Sequence, residues 1–206
     1  MLAGLILAGG KSSRMGSDKS LLTLPNSQQS LLEYCQEKLA LVCHENVFVS
    51  GSQHDNGIID LVANCGPLSG IHGAISYIRS QHYKISELLV VAVDMPDISD
   101  EDLTYLLKMG RESQRLCCFE NCFLPLYLPL NIDVTNYVSK VFTSEQLEAG
   151  EQAKKSQYSI KQMLNSLQGI QIQALKQSQL NNINTPVQWQ QRCAEHPFTK
   201  VKNENQ

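Results

Sequence analysis

Leu5-Ile6-Leu7-Ala8-Gly9-Gly10-Lys11-Ser12-Ser13-Arg14-Met15-Gly16-Ser17-Asp18-Lys19 decides the reading of this 206-residue chain. The apolar run Leu5 to Ala8 stops at two glycines, and a polar loop carrying Lys11, Arg14 and Lys19 follows. This is the pattern of a buried strand feeding a turn whose backbone can approach a ligand closely. Backbone N–H groups beside several cations suit a triphosphate. The plain alternative is a tight turn with solvated basic residues. A Walker A loop is excluded, because the glycine it needs five positions before Gly10-Lys11-Ser12 is Leu5. The dinucleotide fingerprint is excluded too, since Lys11 stands where its second glycine belongs.

Outward from this stretch, strands and helices alternate. Gly4 to Ala8 reads as strand one, then Leu21 to Leu24 as a short extended piece. Ser30 to Val42 reads as a helix with a Ser30/Glu33 capping box and a face of Leu31, Cys35, Leu39 and Val42. Asn46 to Ser50 is the second strand and Ile58 to Val62 the third, with Asp60 inside it. Gly66 and Pro67 open a helix with a stripe of Leu68, Ile71, Ile75 and Ile78, and with a bare patch at Gly70, Gly73 and Ala74. Leu88 to Val93, the most apolar run, runs into Asp94, and Ser99 caps the following helix.

This alternation predicts a parallel sheet covered by helices, with ligands beyond the carboxyl ends of its strands. Gly9, Ser50, Asp60 and Asp94 fall at such ends. In the second half, Leu116 to Phe119 and Phe123 to Leu128 read as an added antiparallel pair, pushed by Pro125 and Pro129 toward an edge or a bulge. Asn131 to Gln152 reads as mostly helical, and Ser159 caps a short helix. Gly169 to Leu175 is the last strand, and Thr185-Pro186 begin the final helix.

The size and composition fit one α/β domain over residues 1–195, with a frayed tail over 196–206. A net charge of −3 argues against a nucleic-acid footprint. The apolar start lacks a charged n-region, and no run reaches bilayer-spanning length. Seven scattered cysteines do not form a disulfide framework and point to a reducing cytoplasm. Cys117-Cys118-x-x-x-Cys122 raises a zinc hypothesis, weakened by the absence of a CxxC pair and of a nearby fourth ligand.

Asp94 is the sharpest single residue. A carboxylate straight after a buried strand must meet a cation, as an ion pair, a helix cap or a Mg²⁺ site. Asp60 suits a base reader, because guanine offers N1–H and its 2-amino group as adjacent donors to one carboxylate. A solvated acid at a strand end is the plain alternative. His72 reads as a packing residue, and Lys11 as the least committed of the three loop cations.

Leu7-Ala8-Gly9-Gly10-x-Ser12-x-Arg14-Met15-Gly16-x-Asp18-Lys19 resembles the signature of the molybdenum cofactor guanylyltransferases, the MobA-like branch of the NTP transferase superfamily. Gly66-Pro67-Leu68-Ser69-Gly70, Val93-Asp94-Met95-Pro96 and Asn182-Ile183-Asn184-Thr185-Pro186 agree with it in the expected order. The resemblance implies a Rossmann-like, mostly parallel sheet of the nucleotide-diphospho-sugar transferase kind. Residues 1–110 would form its nucleotide half and 111–195 its acceptor half. It implies GMP transfer from GTP to the terminal phosphate of molybdopterin, with or without molybdenum, and release of pyrophosphate.

Arg14, Lys19 and Asp94 would be catalytic, with Mg²⁺ on Asp94. Leu7, Ala8, Gly9, Gly10, Lys19, Ser50, Asp60, Gly66, Pro67, Leu68 and Asp94 would bind nucleotide, and Asn182 and Asn184 would face the acceptor. Gly10 favours guanine, since related cytidylyltransferases tend to read Leu-Ala-Ala-Gly. Ser50 departs from a family asparagine, and Asp60 sits one residue nearer Gly66 than expected. Transient contacts with other cofactor-biosynthesis proteins or acceptor enzymes are implied; nucleic acid and membrane are not. Two other readings stay open: a cytidylyltransferase acting on the pterin or on a sugar or polyol phosphate, and a nucleotide-binding module without turnover.

Overall fold

The computed structural model describes residues 1–9, 18–25, 27–44, 46–51, 53–62, 65–81, 83–143, 158–176, 180–195 and 198. Its centre is strand β1 (Leu2–Leu7), flanked in parallel by β2 (Val47–Ser50) and β3 (Glu87–Ala92). β5 (Cys122–Pro129) runs antiparallel to β3 and to β4 (Cys117–Phe119), and β6 (Ile170–Ile172) lies parallel to β4. The six strands form one sheet in the order β2-β1-β3-β5-β4-β6. The β4–β5 hairpin is therefore no appendage: β5 is an interior strand. Pro125 lies where the β4–β5 register shifts between Cys118 and Phe119, so a bulge takes it up, while Pro129 ends the strand opposite Glu87.

Period-two alternation divides the strand residues between two cores. Leu2, Ile6, Leu89, Val91, Cys117 and Phe119 pack with α1 (Leu31–Cys43) and α3 (Asp100–Ser113). Ala3, Leu5, Leu88, Val90, Cys118 and Leu126 pack with α2 (Pro67–Ser80), α4 (Ile132–Val141) and α5 (Ile160–Ser166). A sheet buried on both faces explains why its strands read as continuous apolar runs. α6 (Pro186–Glu195) lies against the first core through Trp189.

Local signals act as expected at several helix starts. Ser30 and Glu33 form a reciprocal capping box, and Ser99 accepts from the Asp102 N–H. On α1, fully buried Cys43 completes the stripe, while Val42 is only partly buried. The bare patch on α2 receives backbone and small side chains: Gly70 meets Ser50 and Leu7, and Gly73 meets the Ile59 carbonyl.

Two expectations fail locally. Residues 58–62 form no strand: Ile58 alone bridges to Ser50, while Ile59 and Leu61 are exposed. With the outer edge of β2 covered only at that point, no further ladder supports the segment. The stretch after Asp18 is a 3₁₀ turn (Lys19–Leu21) and then a single bridge from Thr23 to Ser30, not a strand. Residues 144–152 of the long expected helix, and the tail apart from Phe198, lie outside the described residues. Phe198 itself packs edge-on to Tyr34, with ring centroids 5.0 Å apart.

Candidate nucleotide-binding and acceptor site

Lys19 forms the junction of the site. Asp18 caps the 3₁₀ turn, its carboxylate accepting from the Ser20 N–H at 3.0 Å and the Ser20 hydroxyl at 2.6 Å. The turn delivers Lys19 Nζ to Asp94 Oδ2 at 2.9 Å and to Asn184 Oδ1 at 2.8 Å. Both partners of the ion pair are largely buried, with side chains 14% and 17% exposed, so water screens the pair little. Asp94 follows the end of β3 in a turn closed by the Met95 N–H on the Ala92 carbonyl, 3.2 Å. Its own carbonyl accepts from the Ile183 N–H at 2.8 Å. Three segments far apart in sequence thus meet at one point on the carboxyl rim.

The turn around Asp94 is held from outside as well. Arg192 on α6 pairs with Asp97 at 2.6 Å, and Lys38 on α1 donates to the Pro96 carbonyl at 3.3 Å. Neither residue carries a local motif, and only tertiary contact gives them this role. Gln53 is a third such residue. Its amide donates to the Ala8 carbonyl at 3.1 Å and to Asp18 at 3.4 Å, joining the two ends of the glycine loop.

Asp94 Oδ1 is buried and has no hydrogen-bond partner among the described residues. A buried, unshared carboxylate oxygen is costly unless a cation or donor meets it. With Asn184 Oδ1 sharing Lys19 alongside, the donors are hard oxygens, which suit Mg²⁺. No cluster of three or more acidic, histidine or cysteine ligands occurs among the described residues.

On the other side of Gly9, Ser50 Oγ donates to Asp60 Oδ1 at 2.8 Å. A Cβ placed on Gly9 would lie 3.6 Å from Asp60 Oδ2, so the acid borders the glycine turn. Leu7 and Ala8 lead directly into this turn, with the Ala8 N–H donating to the Ser50 carbonyl at 3.1 Å. Gly10 and Arg14 lie outside the described residues. Gly66 takes a φ of 68°, a left-handed value that favours glycine, and Pro67 begins α2. Leu68 is fully buried in the core, behind the exposed Gly66 and Pro67 that precede it.

Beyond Gly66 and Pro67 a cleft of about 920 Å³ opens along the same rim. Phe123, Leu124, Ile160 and Leu180 line it, with Asn121, Asn182 and Lys161 at its polar points. Asn182 therefore faces the cleft, whereas Asn184 is engaged by Lys19. Neither caps α6: Thr185 Oγ1 accepts from the Gln188 N–H at 3.2 Å, and Gln188 Oε1 accepts from the Thr185 N–H at 3.0 Å.

The cysteine cluster does not converge on a metal. Cys117 and Cys118 point into opposite cores, as adjacent strand residues must. Burial pushes their thiols up to about 12 and about 11, which keeps them protonated. His72 is stacked on Phe142, rings 4.6 Å apart, as a packing residue.

Comparison with known proteins bears on the whole chain. Residues 4–169 match the model of the MobA-like NTP transferase domain. A molybdenum cofactor guanylyltransferase of Xanthomonas euvesicatoria is 34% identical over 94% of this chain and 95% of its own length. The crystal structure of molybdopterin-guanine dinucleotide biosynthesis protein A from Archaeoglobus fulgidus superposes with a TM-score of 0.66. It covers 93% of this chain and 96% of that one at 21% identity. A 2-C-methyl-D-erythritol 4-phosphate cytidylyltransferase from Thermus thermophilus shares the fold at a TM-score of 0.57 and 12% identity, over 94% of this chain and 98% of that one. The architecture by itself therefore does not choose the base.

Proposed function

The chain belongs to the MobA-like NTP transferase family, and we propose that it transfers GMP from GTP to the terminal phosphate of molybdopterin or Mo-molybdopterin. An acceptor phosphate oxygen bonds to the α-phosphorus of GTP. The bond from that phosphorus to the β-bridging oxygen breaks, and pyrophosphate leaves with the electron pair. The observation that carries this reading is the meeting of Lys19, Asp94 and Asn184 at one point between the glycine turn and the 920 Å³ cleft. A dianionic phosphate needs little help from a general base, so positioning and charge neutralisation do the catalytic work.

Lys19, with Arg14, neutralises the triphosphate and the charge that develops on pyrophosphate. Glycines 9 and 10, with Leu7 and Ala8, line the phosphates with backbone. Asp94 would hold Mg²⁺ through the oxygen that Lys19 leaves unshared, and the ion would supply Lewis-acid charge neutralisation for the triphosphate there. Asp60 accepts from the guanine N1–H and 2-amino groups. Gly66 and Pro67 border the nucleotide, and buried Leu68 supports them from the core.

Asn182 contacts the acceptor within the cleft, whose apolar walls suit a flat heterocycle. Residues 1–110 act as the nucleotide half and 111–195 as the acceptor half, with the Lys19–Asn184 hydrogen bond joining them. No helix among the described residues is long and apolar enough to cross a membrane, and we assign the protein to the cytoplasm, where other cofactor-biosynthesis proteins and acceptor enzymes would meet it transiently.

Thermal shift with GTP, CTP and ATP in the presence of Mg²⁺ tests the base assignment. Stabilisation by GTP above the other two supports it. A preference for CTP transfers the protein to the cytidylyl branch of the fold.

A further inference from the structure

Ser50 occupies a place where a nucleotide contact is expected, yet its side chain faces protein. The residue is 2% exposed. Its carbonyl accepts from the Ala8 N–H at 3.1 Å, and its hydroxyl donates to Asp60 Oδ1 at 2.8 Å. Gly70 lies over it so closely that a Cβ there would collide with Ser50 Oγ. A hydroxyl enclosed in this way, with its single proton already given, has no donor left for a base, and burial keeps its lone pairs from one.

Asp60 is the outward member of the pair. Oδ1 is tied to Ser50, while Oδ2 lies toward the exposed Gly9 turn. An aspartate side chain rotates freely about two bonds unless something fixes it. Guanine presents two adjacent donors, N1–H and the 2-amino group, and accepting both requires the carboxylate plane to lie along that edge. Hypoxanthine presents N1–H alone, which a carboxylate can follow by pivoting.

We propose that Ser50 is a positioning residue that sets guanine selectivity through Asp60. Buried beneath Gly70, it locks the carboxylate in the orientation that accepts two donors instead of one. The inference rests on the reading of Asp60 as the base acceptor. It differs from a direct contact of residue 50 with the nucleotide, because the hydroxyl acts only through the acid.

The test compares KM for GTP and ITP, with the full chain, Mg²⁺ and the pterin acceptor, in wild type, Ser50→Ala, Ser50→Cys and Asp60→Ala. Wild type is expected to favour GTP over ITP. Ser50→Ala should lower that ratio by on the order of tenfold, the scale of one hydrogen bond to a charged group, by weakening GTP more than ITP. Ser50→Cys leaves no void, its thiol being somewhat larger than the hydroxyl, but donates weakly, and should narrow the ratio in the same direction. It carries the test if Ser50→Ala does not fold.

A purely structural role for Ser50 would weaken both nucleotides alike and leave the ratio at its wild-type value. That result, with the ratio collapsed in Asp60→Ala, overturns the positioning role and leaves the base assignment standing. An unchanged ratio in Asp60→Ala, or a wild type that does not separate GTP from ITP, removes the base assignment and this inference with it.

Discussion

Lys19 Nζ lies 2.9 Å from Asp94 Oδ2, an ion pair across 75 positions of sequence that ties the loop after β1 to the turn after β3. The two strands are direct neighbours in the sheet, so their carboxyl ends emerge side by side. The pair holds the lysine over the site before any phosphate arrives and leaves one carboxylate oxygen unshared. Removing either member should therefore harm chemistry and folding differently. Asp94→Asn keeps the shape and an acceptor for Lys19 but loses the charge. It should cut kcat by roughly 10²–10³-fold, the scale of one lost electrostatic contact to a transition state, with little change in Tm. Pyrophosphate release and a melting curve on the same sample check both halves of this expectation.

Asp60 supports a prediction about changed selectivity as well as lost activity. Asp60→Asn replaces one acceptor oxygen with a donor. Guanine then faces its 2-amino group against an NH₂, while xanthine offers N1–H and a 2-oxo group that match the amide. The variant should lose GTP and gain XTP as substrate, read as the ratio of kcat/KM for the two nucleotides. An unaltered preference for GTP would remove Asp60 from base recognition.

Gly110 gives a stability prediction away from the site. A Cβ there would run into the Tyr127 ring, whose hydroxyl donates to Glu87 at 2.8 Å and whose residue is 2% exposed. Overpacking a filled core costs about 1–3 kcal/mol, which outweighs the gain of up to about 1 kcal/mol from replacing a helical glycine. Gly110→Ala should lower Tm by several degrees while the GTP-dependent shift in Tm persists.

His72 carries the pH dependence. Burial against Phe142 lowers its pKa below the ordinary 6.5, and Nδ1 is buried without a partner among the described residues. The unfolded chain then binds more protons than the folded one around and below that value. Stability falls as pH drops through this range and is fully present above it. Wild-type Tm should decline between about pH 7.5 and about pH 5.5, and His72→Gln should flatten that slope.

The thiols make a chemical counterpart. Burial raises Cys35 and Cys43 to about 12, as it does Cys117, so none supplies thiolate near neutral pH. Mass spectrometry after mild alkylation should find Cys65 and Cys193, both partly exposed, modified before these three, and no zinc released.

What could be read from the residues alone was what depends on near neighbours. The Ser30/Glu33 box, the Ser99 cap and Pro67 at the start of α2 are local chemistry, and each is in place. The apolar runs marked the buried strands, and their alternation with helices implied the parallel sheet. What could not be read depends on partners distant in sequence. Nothing near Cys122–Pro129 says that β5 inserts between β3 and β4, and the prolines left an edge or a bulge equally open. Ile58 to Val62 has strand composition, but among the described residues its one bridge is that of Ile58 to Ser50. Nothing near Asn184 in sequence says that Lys19, 165 positions away, donates to its side-chain oxygen. Gln53, Lys38 and Arg192 are ordinary polar residues in sequence, and only the folded chain sets them around the loop and the Asp94 turn.

The central claim is that one magnesium triphosphate is gathered between the glycine turn and Asp94 and attacked at its α-phosphorus. GTP labelled at that phosphorus, incubated with the protein, Mg²⁺ and molybdopterin, tests it most directly. The account predicts label in a guanine dinucleotide of the pterin, one pyrophosphate released per transfer, and no transfer by Asp94→Asn beyond a trace. Label left in free GMP or GTP with pterin present, or full transfer by the Asp94 variant, would contradict it.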